Sequence, residues 1–380
     1  MIARARRLLS LVAERTGDYD AAIAFAQSGL DLARSAGLAA RTQAHLYSQL
    51  AAGYFRRSEY TAAEAACRAG LRRLPEQPPS RERLTLLQRL ATLDGRRGRY
   101  LQAVAILEQL VGQARELGDP ELTAANLHNL GVYCYHLGRH EQARRCYEES
   151  LQLKEQIGDA AGRLRTLGDL GNLHLARGDT VAAHAAFTTA VTWSERLNMP
   201  EPLAVAAVNL GQLAYESADY PAAHTQFQRA LKIYSELQDR DAQADCLYKL
   251  GDVALAQADV AAALNYGERS LALAEQIDSR IFSACARRVI GEALTLAGQL
   301  DAAAQALADA RQLQDAIGDP FDTALILTAQ ARLAIARRDR VAAQQFIAAA
   351  LTIAADQQVA YLIAALERLR EQVVALPDPD

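Results

Sequence analysis

The seven histidines, His45, His128, His136, His140, His174, His184 and His224, are the side chains best suited to act as bases or metal ligands near neutral pH. Their spacing argues against both roles. His140-Glu141 is followed by Arg144, where a zinc-protease helix needs its second histidine. His184 and His224 lie 40 residues apart at equivalent places and read as two exposed side chains on neighbouring helices. His174 falls on the apolar side of its helix and reads as a hydrogen-bonded core residue. The five cysteines, Cys67, Cys134, Cys146, Cys246 and Cys285, are odd in number and contain no CxxC pair. That usage suits buried thiols in a reducing compartment, not a disulfide framework or a zinc site. No two glycines lie two apart and no glycine precedes a lysine, so both the dinucleotide and the P-loop phosphate motifs are absent. No nucleophile has a base with a reason to meet it. The expectation is a protein that is not an enzyme and holds neither cofactor nor metal.

The elements that position these residues show themselves through small side chains. Ala63, Ala103, Ala143, Ala183, Ala223, Ala263, Ala303 and Ala343 recur every 40 residues. A second series, Ala51, Ala91, Gly131, Gly171, Gly211, Gly251, Gly291 and Ala331, keeps the same interval, usually with Leu just before it. A fixed period of this length marks a solenoid whose units bury their apolar faces only against neighbours. Hydrophobic residues at 51% and charged residues at 23% of 380 are enough for an extensive core.

Asp119 to Ile157 shows the unit. Asp119 is a good N-cap and Pro120 stands at the first helical position, where its missing N–H costs nothing. Leu122, Leu127, Leu130, Cys134 and Leu137 follow helical spacing until Gly138. A second helix carries Ala143, Tyr147, Leu151 and Leu153 inward and stops at Gly158. Gly98, Gly178 and Gly298 repeat the inner stop, and Gly118 and Gly318 the outer one. Short turns make the two helices antiparallel, and a small residue at the crossing lets their backbones approach. Two irregularities stand out. Leu74–Pro79 should truncate a second helix and act as a flexible joint, and Gly95-Arg96-Arg97-Gly98 should loosen a first helix.

The order of small and large residues resembles the tetratricopeptide (TPR) repeat. Leu130, Gly131, Gly138, Ala143, Tyr147, Ser150 and Leu151 carry it in one unit. Leu210, Gly211, Tyr220, Ala223, Phe227, Ala230 and Leu231 carry it in another. Cys134 and His174 depart from the usual first aromatic, and Gly267 from the second. The 40-residue spacing is similar to the longer repeats of the LGN/Pins adaptor group and of bacterial regulators such as the maltose activator's sensor region. The resemblance implies an all-α, right-handed α-α superhelix of about nine helical hairpins plus a C-terminal capping helix. One solenoid would span 1–380, with hairpins near 2–36, 39–77, 80–117, 119–157, 159–197, 199–237, 239–277, 279–317 and 320–355 and the cap at 357–375. The tail from Pro377 to Asp380 should fray.

The resemblance also implies that first helices line a concave groove. The lining places lie six and three residues before the recurring Gly/Ala, then one, four and five after it. They include Arg7, Gln88, Glu216 and Glu292, and the residues expected to hold a partner are Arg96, His128, Tyr135, His136, Arg165, Asn172, Gln212, Tyr215, Tyr248 and Asp252. Some TPR proteins grip a terminal carboxylate with Lys and Asn at the third-before and first-after places. No unit here has that pair, and Arg288 and Glu292 should instead pair along their helix.

Net charge is -4, divided as +6 over residues 1–120 and -10 over 121–380, which would polarise the groove from end to end. No long basic stripe with interleaved aromatics points to nucleic acid. No segment has the roughly 18 apolar residues of a membrane span, and a cytoplasmic protein is expected. These features together predict a non-catalytic scaffold that binds a protein or peptide segment in the groove. The alternative is a ligand- or peptide-sensing module of a bacterial transcriptional or signalling regulator. Partner identity and oligomeric state are not encoded in any motif.

Overall fold

A computed structural model describes residues 2–15, 18–57, 59–76, 78–357 and 359–375. The tail from Pro377 and the side chain of Arg7 lie outside the described residues. The first helices of successive hairpins are α1 (Ile2–Arg15), α3 (Ala40–Arg56), α5 (Arg81–Arg96), α7 (Pro120–His136), α9 (Ala160–Ala176), α11 (Pro200–Glu216), α13 (Arg240–Ala256), α15 (Arg280–Leu296) and α17 (Pro320–Ala336). Their partners are α2 (Tyr19–Ser35), α4 (Tyr60–Leu71), α6 (Tyr100–Glu116), α8 (His140–Gln156), α10 (Thr180–Arg196), α12 (Tyr220–Glu236), α14 (Val260–Gln276), α16 (Leu300–Ile317) and α18 (Arg340–Asp356). The last helix is α19 (Ala360–Val374). Among the described residues there is no strand, and none of the helices is long and apolar enough to cross a membrane.

The period has a local cause. From Gly98 to Arg338 a residue with positive φ returns every 20 positions, filled by glycine at Gly98, Gly118, Gly138, Gly158, Gly178, Gly298 and Gly318. Around Gly138 its N–H donates to the Tyr135 carbonyl at 2.9 Å, and the Arg139 N–H donates to the Cys134 carbonyl at 2.8 Å. This paired pattern closes a helix around a left-handed residue. The residue that follows is already the cap of the next helix. Asp119 donates its N–H to the Ala114 carbonyl at 3.1 Å while its Oδ1 accepts from the Leu122 N–H at 2.9 Å. Helices of 17 residues separated by such turns yield the 40-residue repeat seen in the sequence.

The chain packs as two compact units, Met1–Ala186 and Phe187–Asp380. In the first, Leu46, Tyr47, Cys67 and Leu86 form one core and Leu107, Leu130, Tyr133, Tyr147 and Leu173 another. In the second, Phe227, Tyr234, Leu247 and Leu250 pack together, and Leu362, Leu366 and Val373 of α19 cover α17 and α18. Ala103, Ala143, Ala223, Ala263, Ala303 and Ala343 are fully buried at their crossings. All five cysteines are buried and free of disulfides.

The two irregular stretches behave differently. α4 is only 12 residues long, and Ser80 Oγ accepts from the Arg83 N–H at 3.3 Å to restart the helix beyond the proline link. The Gly95–Gly98 stretch does not loosen α5, which runs through Gly95 to Arg96. A Cβ on Gly95 would lie 2.2 Å from the Tyr133 ring, so this glycine is the seat for an aromatic side chain from the next hairpin.

Among the described residues, six other than glycine take the left-handed conformation, Ala258 (φ 58°) among them. That conformation costs a residue with a Cβ roughly 1–2 kcal/mol, partly offset by the chain entropy a glycine must lose. Ala258→Gly is therefore expected to stabilise the protein by about 0.5–1 kcal/mol. Its neighbour Asp259 caps α14 by accepting from the Ala262 N–H at 3.0 Å, and Asp259→Ala should cost about 1 kcal/mol. Urea unfolding of the two single variants, adjacent yet opposite in sign, checks the turn.

Candidate functional site

In the N-terminal unit the first helices α3, α5, α7 and α9 enclose a cavity of about 310 Å³. Its wall is drawn from the register places around the recurring small residue. Phe55 comes from α3, Thr85, Gln88 and Thr92 from α5, His128 from α7 and Arg165 from α9. Helical geometry explains the selection, because places three and four apart stack on one face. Arg89 and Asn129, two places before Ala91 and Gly131, complete the polar lining.

His128 forms the back of this wall. It is 7% exposed, and its Nδ1 lies 3.0 Å from Thr166 Oγ1. Thr166 Oγ1 also accepts from Lys154 Nζ at 2.7 Å, and Lys154 is itself 3% exposed. Burial, with the nearby Lys154 and Arg165 cations, pushes the His128 imidazole down to about 3, so it is neutral at physiological pH. Burial lowers Lys154 to about 8 and raises the Asp169 carboxyl to about 6. Asp169 Oδ2 lies 3.5 Å from His128 Nε2, behind the cavity wall. The Cys67 thiol, also on the wall, is pushed up to about 11 by burial and is a poor nucleophile at neutral pH.

Other residues singled out from the sequence fall outside the cavity. The Arg96 guanidinium lies over the Phe55 ring, 5.6 Å from its centroid. His136 stacks on Tyr100 at 4.8 Å, and Tyr135 stacks on His140 at 6.0 Å, forming an aromatic cluster at the α7–α8 turn. Asn172 is exposed on α9. Of the histidines, His184 is exposed and His224 half-buried, the latter 3.4 Å from the Tyr266 hydroxyl. His174 is half-buried, 4.0 Å from Asp179.

The C-terminal unit carries a linked set of charges on α13, α15 and α17. Arg288 donates to Asp252 Oδ2 at 2.8 Å and to Glu292 Oε1 at 2.8 Å, and Arg332 pairs with the other oxygen of Glu292. Burial opposes ionisation of Glu292, but Arg332 and Arg288 outweigh it and hold the carboxyl below its usual range. Burial prevails at Asp252, whose carboxyl is raised despite Arg288. Gln212 Nε2 donates to Glu216 Oε1 at 2.9 Å along α11. Tyr215 lies against Tyr220 at 5.8 Å, and Tyr248 against Phe282 at 6.4 Å with the Lys249 ammonium 4.8 Å above its ring. Among the described residues, no three His, Cys, Asp or Glu side chains stand together as a metal site requires.

Sequence reasoning missed Arg89, Asn129 and the buried Lys154. The first two belong to a row two places before each recurring small residue, polar at Gln49, Arg89, Asn129, Asp169, Asn209 and Lys249. Lys154 has no such signal; its burial follows from Thr166 and the Gly162 carbonyl, which receive its ammonium at 2.7 and 3.3 Å.

Hairpins stacked in sequence order define an α-solenoid. Residues 122–196 and 202–276 match the family model of the tetratricopeptide repeat. Solved structures share the fold over nearly the whole chain. RapI in its apo form has a TM-score of 0.69 at 12% identity, covering 94% of this chain and 99% of that one. The apo quorum sensor NprR from B. thuringiensis has a TM-score of 0.65 at 14% identity, with 92% and 98% covered. A Rap protein complexed with competence and sporulation factor has a TM-score of 0.60 at 14% identity, with 97% and 99% covered. No curated protein matches the sequence. Residues 122–196 and 202–276 thus carry tetratricopeptide repeats, and the chain shares the α-solenoid fold of these structures.

His128 gives the site a testable pH signature. Its folded pKa of about 3 lies below the usual 6.5, so the unfolded chain binds more protons between those values and stability falls on acidification. His128→Gln removes that term. Relative to wild type the variant should gain stability as pH falls from 6.5 to 4, by up to about 1.4 kcal/mol per pH unit. Urea midpoints measured in parallel for both proteins provide the check.

Proposed function

We propose that the chain is a non-catalytic scaffold whose first-helix faces hold a protein or peptide segment. The observation that carries this reading is the cavity of the N-terminal unit, where side chains from four first helices converge on space instead of on one another. A mixed wall of amide, guanidinium and aromatic groups provides orientation and buried apolar area together. In the C-terminal unit Gln212, Tyr215, Tyr248 and Asp252 are proposed as contact residues on the same kind of face. Tyrosines of this type combine a rigid apolar surface with a polar tip. A cytoplasmic setting accords with this role.

A second reading is that the segment is a signal and the chain a sensing module of a regulator. It is favoured by fold neighbours described as a quorum sensor and as a Rap protein complexed with competence and sporulation factor. The two readings differ in what binding does to the helices that do not touch the ligand. A scaffold should gain hydrogen-exchange protection only where the segment lies; a sensor should change exchange in remote hairpins as well.

The test is selection from a displayed library of random peptides, followed by affinity measurement. Peptides should be enriched, and Arg165→Ala or Tyr215→Ala should weaken the best of them by about 1–2 kcal/mol, while substitutions on the outer faces of α8 or α12 should not. No enrichment, or losses confined to the outer-face variants, would remove the proposal.

A further inference from the structure

We infer that Lys154, Thr166, His128 and Asp169 form a hydrogen-bonded relay that reverses direction when Asp169 takes up a proton, a pH-operated switch behind the cavity wall. Its bearing on function rests on the first-helix face being the binding surface, one part of which would change charge with pH. α7, α8 and α9 supply the four groups. Thr166 Oγ1 stands at the centre, 2.7 Å from Lys154 Nζ, 3.0 Å from His128 Nδ1 and 2.9 Å from the Gly162 carbonyl. His128 Nε2 lies 3.5 Å from Asp169 Oδ2 at the far end. Thr166, Lys154 and His128 are buried, whereas Asp169 keeps 31% of its side chain exposed, so water can deliver and remove a proton there.

Counting protons leaves two arrangements. The Thr166 hydroxyl has one proton and two acceptors within reach, His128 Nδ1 and the Gly162 carbonyl, while the Lys154 ammonium only donates. With Asp169 ionised, His128 carries its proton on Nε2 and donates it to the carboxylate. Nδ1 is then an acceptor, and the Thr166 hydroxyl donates to it. With a proton added at Asp169 Oδ2, the carboxyl donates to Nε2 and the imidazole proton sits on Nδ1 instead. Nδ1–H donates to Oγ1, whose own proton turns to the Gly162 carbonyl. The net change is one proton taken from water. Imidazole and hydroxyl keep one proton each, so no imidazolium forms beside Lys154 and Arg165.

The titratable and charged groups facing Asp169 are Lys154 and Tyr147 from α8, His128 and Tyr135 from α7, and Arg165 one turn back on α9. Asp159 faces Lys154 from the cap of α9. Burial pushes both tyrosines above their usual range, and they stay neutral. Burial also raises the Asp169 carboxyl to about 6 against the pull of Arg165 and Lys154, which sets the reversal just below neutrality. When the proton arrives, Arg165 on the cavity wall loses the carboxylate that offsets it, and the surroundings of the cavity gain one unit of positive charge.

Nitrogen-15 NMR of the full chain with labelled histidine tests the relay without a ligand, so its failure and the failure of the proposed binding role are separate results. The His128 signals are those that disappear in His128→Gln. Between pH 8 and 5 they should pass from the Nε2–H to the Nδ1–H tautomer, with a midpoint near 6. Asp169→Asn should abolish the transition. Arg165→Gln, at an exposed side chain, should move the midpoint upward, because a cation that favours the carboxylate is gone. This second variant carries the test if Asp169→Asn does not fold. One tautomer at every pH, or conversion to the imidazolium within this range, overturns the inference. So does a transition that Arg165→Gln leaves at the same pH. Reversal in a protein that binds no peptide keeps the relay and removes only its effect on binding.

Discussion

The left-handed residue that returns every 20 positions governs everything else in this chain. It ends one helix and places the next cap within a single short turn, which leaves the intervening helices 17 residues long, or 18 in α16. Helix length in turn fixes rotational register, since one residue more or less would swing the next face by about 100°. A constant length therefore returns the same places to the same face in hairpin after hairpin. The one marked exception shows how strict the constraint is. α4 is cut to 12 residues by the proline link, yet Ala51 and Ala91 remain 40 apart because the link supplies the missing residues.

Register of this kind frees the first-helix places from packing duty, and each unit uses them differently. In the C-terminal unit the charges satisfy one another. Arg288 bridges Asp252 and Glu292, and Arg332 takes the second oxygen of Glu292, so two acids and two bases from three helices offset one another across the face. In the N-terminal unit the wall has guanidinium groups, amides and an aromatic ring but no carboxylate. A paired network stiffens a surface, whereas a wall of uncharged polar groups and exposed guanidinium leaves it open to a ligand.

Much of this was legible from residue types alone. The alanine and glycine rows revealed both the fold and the period, because a close crossing tolerates little else. Of the five lining places that the family resemblance implied, four occur on the cavity wall, Arg165 and His128 among them. Arg89 and Asn129 escaped because they stand two places before the small residue, a position that looks central to the packing row. At 100° per residue that place lies only about 20° from the one five after it, at the edge of the same stripe. Gly95 was misread for a different reason. A glycine inside a helix is ambiguous until its neighbour is known, and here the neighbour is the Tyr133 ring from the next hairpin. Burial of Lys154 depends on contacts eight and twelve residues along the chain, which no single-helix pattern displays.

That buried lysine bears on the electrostatics of the cavity. Its neighbours Thr166 and the Gly162 carbonyl are neutral acceptors, and they lie directly behind His128. With its ammonium lowered to about 8 it stays mostly charged at pH 7, and Asp169, raised to about 6, stays mostly ionised as its counterweight. His128 adds no charge, because protonation would put a third cation beside Lys154 and Arg165 in a dry place. Asp169 is held toward its ionised form by Arg165 first and Lys154 second, so the carboxylate offsets cations on both sides of His128. His128 therefore lines the cavity on one side and faces Thr166 and Asp169 on the other.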